Sequence, residues 1–216
     1  MIGDIQLKVC GITSAEDARM AEGVGADYLG FIVHALSPRY VSLEQFAVLA
    51  PRVTRKKVIV CVMPSAAEIE SFAAAGADFI QVHYPPEMAF KTLQAWSQAA
   101  GPHRLWLAPR LPPPLDVPSG WLPLGDTFLL DTFDPEKFGG TGQTGDWKKF
   151  ARHRRAHPGK TWILSGGLAP DNIAGALRES GAAIVDVNSG VEVSPGVKDR
   201  AKLQAFADAI GAIRTQ

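Results

Sequence analysis

Several features are scarce in this sequence, and each absence excludes something. No long run of lysine or arginine stands out, and the 22 basic side chains are cancelled by 22 acidic ones. The electrostatic footprint of a nucleic-acid binder is therefore missing. The longest apolar runs, such as "VIVCVM", are far too short to cross a bilayer. The opening "MIGDIQLKVC" has neither the basic segment nor the apolar core of a secretory leader. The expectation is a soluble cytoplasmic protein with neither nucleic acid nor membrane as partner. Cysteine is limited to Cys10 and Cys61, too few for a disulfide framework, so both are expected as free thiols. Cys61, in mid-strand, is read as core. No GxGxxG follows the first apolar run, which weakens an open, doubly wound sheet.

What is present is a globular chain of 216 residues, 46% hydrophobic and 20% charged, enough to bury a sizeable core. Three segments share one design: "EGVGADYLGFIV", "AAAGADFIQVH" and "ESGAAIVDVNSG". In each, an alanine-rich helical stretch stops at glycine (Gly25, Gly76, Gly181), where a left-handed cap is free of strain, and an apolar β run follows at once. These glycines stand close to two and four units of roughly 26 residues apart, the length of one βα unit. Eight such units fill the chain.

Strands are expected near Leu7 to Cys10, Tyr28 to Ile32, Lys57 to Val62, Phe79 to His83, Arg104 to Ala108, Phe128 to Asp131, Trp162 to Ser165 and Ile184 to Asn188. Helical patterns occupy most of the intervals; in the last, Leu203, Phe206, Ile210 and Ile213 share one face. The fifth interval, "PRLPPPLDVPSGW", is too proline-rich for a helix and is expected as loop or one short turn. Eight strands alternating with helices favour a single-domain (β/α)8 TIM barrel over residues 1–216, with a degenerate fifth helix, over a doubly wound sheet.

Such a barrel gathers its chemistry at the carboxyl ends of its strands. Those ends carry Cys10, Arg39 behind Ser37-Pro38, His83, Asp131, Ser165-Gly166-Gly167 and Asn188-Ser189-Gly190. "LSGGL" and "DVNSGV" put small residues after strands seven and eight, where barrels build phosphate sites from backbone N–H groups and a short extra helix. Asp131 closes a buried apolar run, so desolvation should raise its carboxyl pKa and keep a proton available. Gly139, Gly140, Thr141 and Gly142 beyond it suit a cover over the mouth. Arg39 offers a planar fork for a carboxylate. Cys10 stands two residues from Lys8 on one strand face, where positive potential is available to lower its pKa, and could act as base or nucleophile.

At these residues the sequence resembles the phosphoribosylanthranilate isomerase family. "KVCGIT" with "AEDA", "GADYLGFIV" with "SPRYVS", "LLDT" with "GGTGQTGDW", "LSGGLAPDNI" and "DVNSGVEVSPGVKD" look like that family's hallmark segments, in order, from Lys8 to the last helix. The resemblance implies an Amadori rearrangement in tryptophan biosynthesis, of a small phosphorylated substrate, without metal or organic cofactor. It implies Asp131 as general acid and Cys10 as general base, Arg39 at the anthranilate carboxylate, Asp186 near its amine, and Gly166, Gly167, Ser189 and Gly190 at the phosphate. His83, Gly142 and Asn188 complete the implied substrate-binding set, in a monomer or homodimer.

The sequence also departs from that pattern. "QVHYPPE" replaces the usual glycine-acid turn after strand four, the fifth unit carries Trp106 and Arg110, and Asn188 stands where serine is common. Two other readings compete. One is a metal-dependent sugar-phosphate epimerase using His34, His83 and an aspartate; the other is a non-catalytic barrel that keeps only the anion site.

Overall fold

A computed structural model describes residues 1–132 and 146–215. Eight parallel strands close into a barrel in chain order: β1 (Gln6–Val9), β2 (Tyr28–Ile32), β3 (Lys56–Val62), β4 (Phe79–Tyr84), β5 (Leu105–Pro109), β6 (Thr127–Leu130), β7 (Thr161–Leu164) and β8 (Ile184–Val187). Closure comes from β1 lying parallel to β8, with Lys8 opposite Asp186 and Val9 opposite Val187. Around it run α1 (Ala15–Gly23), α2 (Leu43–Leu49), α3 (Ala66–Ala74), α4 (Phe90–Ala100), α5 (Trp147–Ala156), α6 (Ile173–Ser180) and α7 (Arg200–Gly211). The TIM barrel expected from the glycine joints is thus the fold, and each of the eight strands lies within a residue or so of its expected place.

The local signals act as their chemistry requires. Gly25, Gly76 and Gly181 take φ of 90°, 97° and 62°, ending their helices in backbone that a side chain would strain. Ser14, Ser42 and Ser65 cap α1, α2 and α3 through their hydroxyls, and the Ser42 and Ser65 N–H groups donate in return to the side-chain oxygens of Gln45 and Glu68.

Strand residues alternate between two cores. Leu7, Val9, Leu29, Phe31, Ile59, Cys61 and Val82 point outward and pack beneath the helices, as where Phe31 meets Phe46 edge to face at 5.1 Å between ring centroids. Cys61 is core, as expected. Inward-facing Cys10, Val58, Val60, Trp106, Ala108, Leu129, Ile163 and Ile184 fill the barrel. At the amino ends of the strands, Tyr28, Phe79 and Trp106 pack ring on ring at 5.0–5.8 Å and plug the base.

Between β5 and β6 there is no α-helix, only a proline-rich loop and a 3-10 turn at Ser119–Leu124. Leu111, Val117 and Trp121 cover the sheet in its place, and Trp121 meets Tyr84 at 5.3 Å. Lys149 of α5 holds the loop by donating to the carbonyls of Pro112 and Pro113, at 3.1 and 3.3 Å, and of Leu115. A final addition follows β8: a 3-10 turn (Ser189–Val191) and an antiparallel hairpin of β9 (Glu192–Ser194) and β10 (Val197–Lys198). Among the described residues no helix is long and apolar enough to cross a membrane.

Because Trp106 is 3% exposed and completes the basal plug, Trp106→Ala should cost about 3–5 kcal/mol of stability, read from urea unfolding. Turnover per folded molecule should hardly change, since Trp106 lies at the far end of the barrel from the strand-end residues.

Candidate active site

The carboxyl ends of the strands open onto a cavity of about 530 Å³. Its wall includes Cys10, Arg39, His83, Asp131, Ser165, Gly166, Gly167, Asp186, Asn188 and Ser189, so residues from the ends of five strands and from the loop after β2 converge as the sequence suggested. Gly190 lies just behind, in the 3-10 turn that Ser189 opens. Gly142 falls outside the described residues, as does the rest of the expected cover.

Each glycine loop has a steric reason for its glycines. A Cβ on Gly190 would lie 2.0 Å from the Leu168 carbonyl oxygen, so the loops after β7 and β8 touch only because no side chain intervenes. Gly166 and Gly167 both take positive φ, 95° and 61°, and a Cβ on Gly166 would strike Thr132 and come within 2.8 Å of the Asp131 carboxylate. The first N–H groups of the Ser189 turn have no partner within the turn itself, which makes this corner receptive to an anion.

Asp131 sits one residue past β6, and its Oδ1 accepts from the Thr132 N–H at 2.8 Å. Burial pushes its carboxyl up to about 6; the nearby Asp186 charge adds to this, while the Thr132 bond, Lys8 and Ser165 oppose it. The expected raised carboxyl is present. His83, at the end of β4, accepts a 2.8 Å bond from the Gln81 amide, and burial together with Lys8 and His34 pushes it down to about 3, so its imidazole is neutral.

Cys10 departs from the expectation that positive potential lowers its pKa. Burial pushes the thiol above its ordinary value; Lys8 and Lys198 pull down, Asp186 pushes up, and burial prevails. Lys8 itself is wholly buried and bonds Asp186 Oδ2 at 2.9 Å. Burial alone would lower its pKa, but Asp186 and Cys10 outweigh burial and hold it protonated.

Arg39 is not a free fork. Its Nε donates to both Glu192 oxygens at 2.9 and 3.1 Å, and its Nη2 donates to Oε2 at 2.7 Å. Lys198 Nζ donates to Oε1 of the same carboxylate at 2.9 Å and to Asn188 Oδ1 at 3.0 Å. Two cations on one carboxylate leave the corner beside Asn188 with one surplus positive charge, suited to an anionic group. Burial works to raise Glu192, but Arg39 and Lys198 hold it below its usual range.

His34 and His83 both line the cavity, yet among the described residues no three His, Cys, Asp or Glu side chains come together as a metal ion would need.

The family model for N-(5'phosphoribosyl)anthranilate (PRA) isomerase matches residues 7–209. The chain belongs to this family. It is 35% identical over 209 residues to the N-(5'-phosphoribosyl)anthranilate isomerase of Synechococcus elongatus, covering 94% of each chain. It is 38% identical over 213 residues to that of Granulibacter bethesdensis, covering 95% of this chain and 97% of the relative. Among solved structures, the phosphoribosyl anthranilate isomerase of Thermus thermophilus superposes with a TM-score of 0.80 at 27% identity, covering 97% of this chain and all of that one. Another phosphoribosyl anthranilate isomerase, solved in complex with reduced 1-(o-carboxyphenylamino)-1-deoxyribulose 5-phosphate, superposes at 0.74 with 25% identity, covering 98% of this chain and all of that one.

Within this family member, sequence reasoning passed over Gly30, Gln81, Glu192 and Lys198. Gly30 carried a signal, a lone glycine inside an apolar strand: a Cβ there would lie 2.8 Å from Cys10 Sγ. Glu192 and Lys198 flank the Ser194-Pro195-Gly196 turn, and a charged residue on each side of so short a turn was the available clue.

The raised Asp131 carboxyl has a consequence for stability. Its folded value of about 6 exceeds the ordinary 3.8, so the folded protein loses stability as pH rises through that window. Asp131→Asn should therefore raise stability at pH 7 by about 1–2 kcal/mol, less than full conversion of the shift because the carboxyl is only half-buried. Melting curves at pH 7 and near pH 3.5 check it, the difference vanishing in acid.

Proposed function

We propose that this chain isomerises N-(5-phosphoribosyl)anthranilate to 1-(2-carboxyphenylamino)-1-deoxyribulose 5-phosphate, the Amadori step of tryptophan biosynthesis, with Asp131 as general acid and Cys10 as general base. The observation that carries the assignment of roles is that the Asp131 carboxyl and the Cys10 thiol line one cavity, from β6 and β1 of a closed barrel, beside the glycine loops that follow β7 and β8.

The chemistry divides between the two groups. Protonated Asp131 gives its proton to the furanose ring oxygen as the C1′–O bond breaks, and the anthranilate nitrogen lone pair closes a C1′=N iminium. The Cys10 thiolate then takes the C2′ proton; the released electrons form the C1′=C2′ bond and return a pair to nitrogen. The resulting enolamine gains a proton at C1′ and loses one from the C2′ hydroxyl, leaving the ketone. No electron leaves the substrate. Gly166, Gly167, Ser189 and Gly190 suit the phosphate, and the surplus positive charge of Arg39, Lys198 and Glu192 beside Asn188 suits the anthranilate carboxylate. Asp186 Oδ1, buried and without a partner among the described residues, suits the anthranilate N–H. His83 and Gly142 complete the proposed substrate-binding set.

Cys10→Ser and Asp131→Asn should each lower kcat by several orders of magnitude while the folded fraction at 25 °C stays that of the parent. Near-parental turnover in either variant refutes that residue's role.

A carboxyl near 6 and a thiol above its ordinary range make the reactive form, protonated acid with ionised base, a minor species at every pH. The kcat/KM profile should therefore rise tenfold per pH unit below about 6, level off, and fall only above the raised thiol value. A maximum at or below pH 5 would contradict this pairing.

A further inference from the structure

At the floor of the cavity, beneath the reacting atoms, an ammonium is shared between two acids. Lys8 of β1 and Cys10, the residue just past it, point inward, and both lie over Gly30 of β2: a Cβ there would meet Cys10 Sγ at 2.8 Å and Lys8 Cε at 3.1 Å. The sulfur and the last carbon before the ammonium are thus no farther apart than those two distances together. Lys8 Nζ is bonded to Asp186 Oδ2 at 2.9 Å, from the strand that pairs with β1 in register, and Lys8 has no exposed surface. Water therefore cannot solvate or screen that charge.

We propose that Lys8 is a positioning residue for the base: its ammonium, clamped by Asp186, is the counter-ion of the Cys10 thiolate, and carboxylate and thiolate compete for that one cation. The inference rests on Cys10 acting as base, as proposed above, and adds the group that makes the thiolate attainable at a buried sulfur.

The other charges around the sulfur do not replace Lys8. Lys198, from β10, pulls in the same direction but is committed to Glu192 and Asn188, and Arg39 is committed to Glu192. Asp131, just past β6, is a second acid, and His83, on β4, is neutral; His34 also reaches the cavity wall. Asp186 therefore has two opposed effects: it anchors the cation, and its own charge disfavours the thiolate. A substrate N–H donated to the free Asp186 Oδ1 would partly satisfy that charge and release more of the ammonium's field to sulfur, so occupancy of the cavity would itself favour the base.

The test needs no turnover. The full-length protein is treated with the neutral reagent iodoacetamide across roughly pH 6 to 10, and alkylation of Cys10 is followed by peptide mass spectrometry, which separates it from Cys61. Asp186→Asn keeps the cation and removes the competing charge, so its curve should move to lower pH, with the rate at pH 8 raised on the order of tenfold. Lys8→Met combined with Asp186→Asn removes both charges without stranding either, and should move the curve above the parent's, with the rate lowered on the order of tenfold. A general loosening of the barrel would move both curves in one direction, and that outcome, or an Asp186→Asn curve that does not move to lower pH, overturns the proposal. Should the double variant fail to fold, the single variant still decides. If the curves split as expected but Cys10→Ser retains turnover, the counter-ion pairing stands and the assignment of Cys10 as base falls.

Discussion

An ammonium with no access to water sets the terms for the upper half of this barrel. Lys8 is held in place by Asp186, and removing one partner of a buried pair commonly costs on the order of 3–5 kcal/mol. The pair bonds directly across the β1–β8 seam, where the barrel closes, so the interaction that closes the sheet also charges the cavity floor. Glycine at position 30 follows from it, since the lysine stem and the cysteine sulfur leave no room for a Cβ on β2. Replacing a buried pair by well-packed apolar residues is often neutral or stabilising, so stability alone does not account for this one.

The same reasoning extends to the second buried charge cluster. The β9–β10 hairpin adds nothing to the barrel sheet, yet it sets Glu192 opposite Lys198 in register and brings both against Arg39. Its position is secured by the Thr13 hydroxyl donating to the Gly196 carbonyl at 2.6 Å and by the Lys198 N–H donating to Asp17 at 2.9 Å, so the loop after β8 is fastened to the one after β1. Arg39 is thereby held in a fixed orientation with part of its fork already used. The substrate proposed above bears two anionic ends, and each is assigned to a different chemistry: backbone amides at the glycine loops and a surplus side-chain charge beside Asn188.

Much of this was legible beforehand, for identifiable reasons. Strands buried on both faces read as short apolar runs, and glycines that must adopt positive φ punctuate the helix ends, so eight βα units could be counted and their strands located within a residue or so. The proline-rich fifth interval was legible as lacking a helix because proline cannot donate within one; that Lys149 pins it was not, since the lysine arrives from the next helix. The hairpin of three and two residues is too short to carry a period. The thiol's direction was misjudged because the Lys8 charge is visible in sequence, whereas the depth of burial that outweighs it is not.

The chain by itself determined the order of strands and helices, the glycine loops, and which reactive side chains stand at strand ends, because each is governed by neighbours within a few residues. Only the closed barrel decided which of those groups are charged and what each one faces. Lys8 meets Asp186 across 178 positions of chain and Arg39 meets Glu192 across 153. Desolvation and Coulomb attraction depend on distances of a few ångströms in space, and no local pattern encodes them.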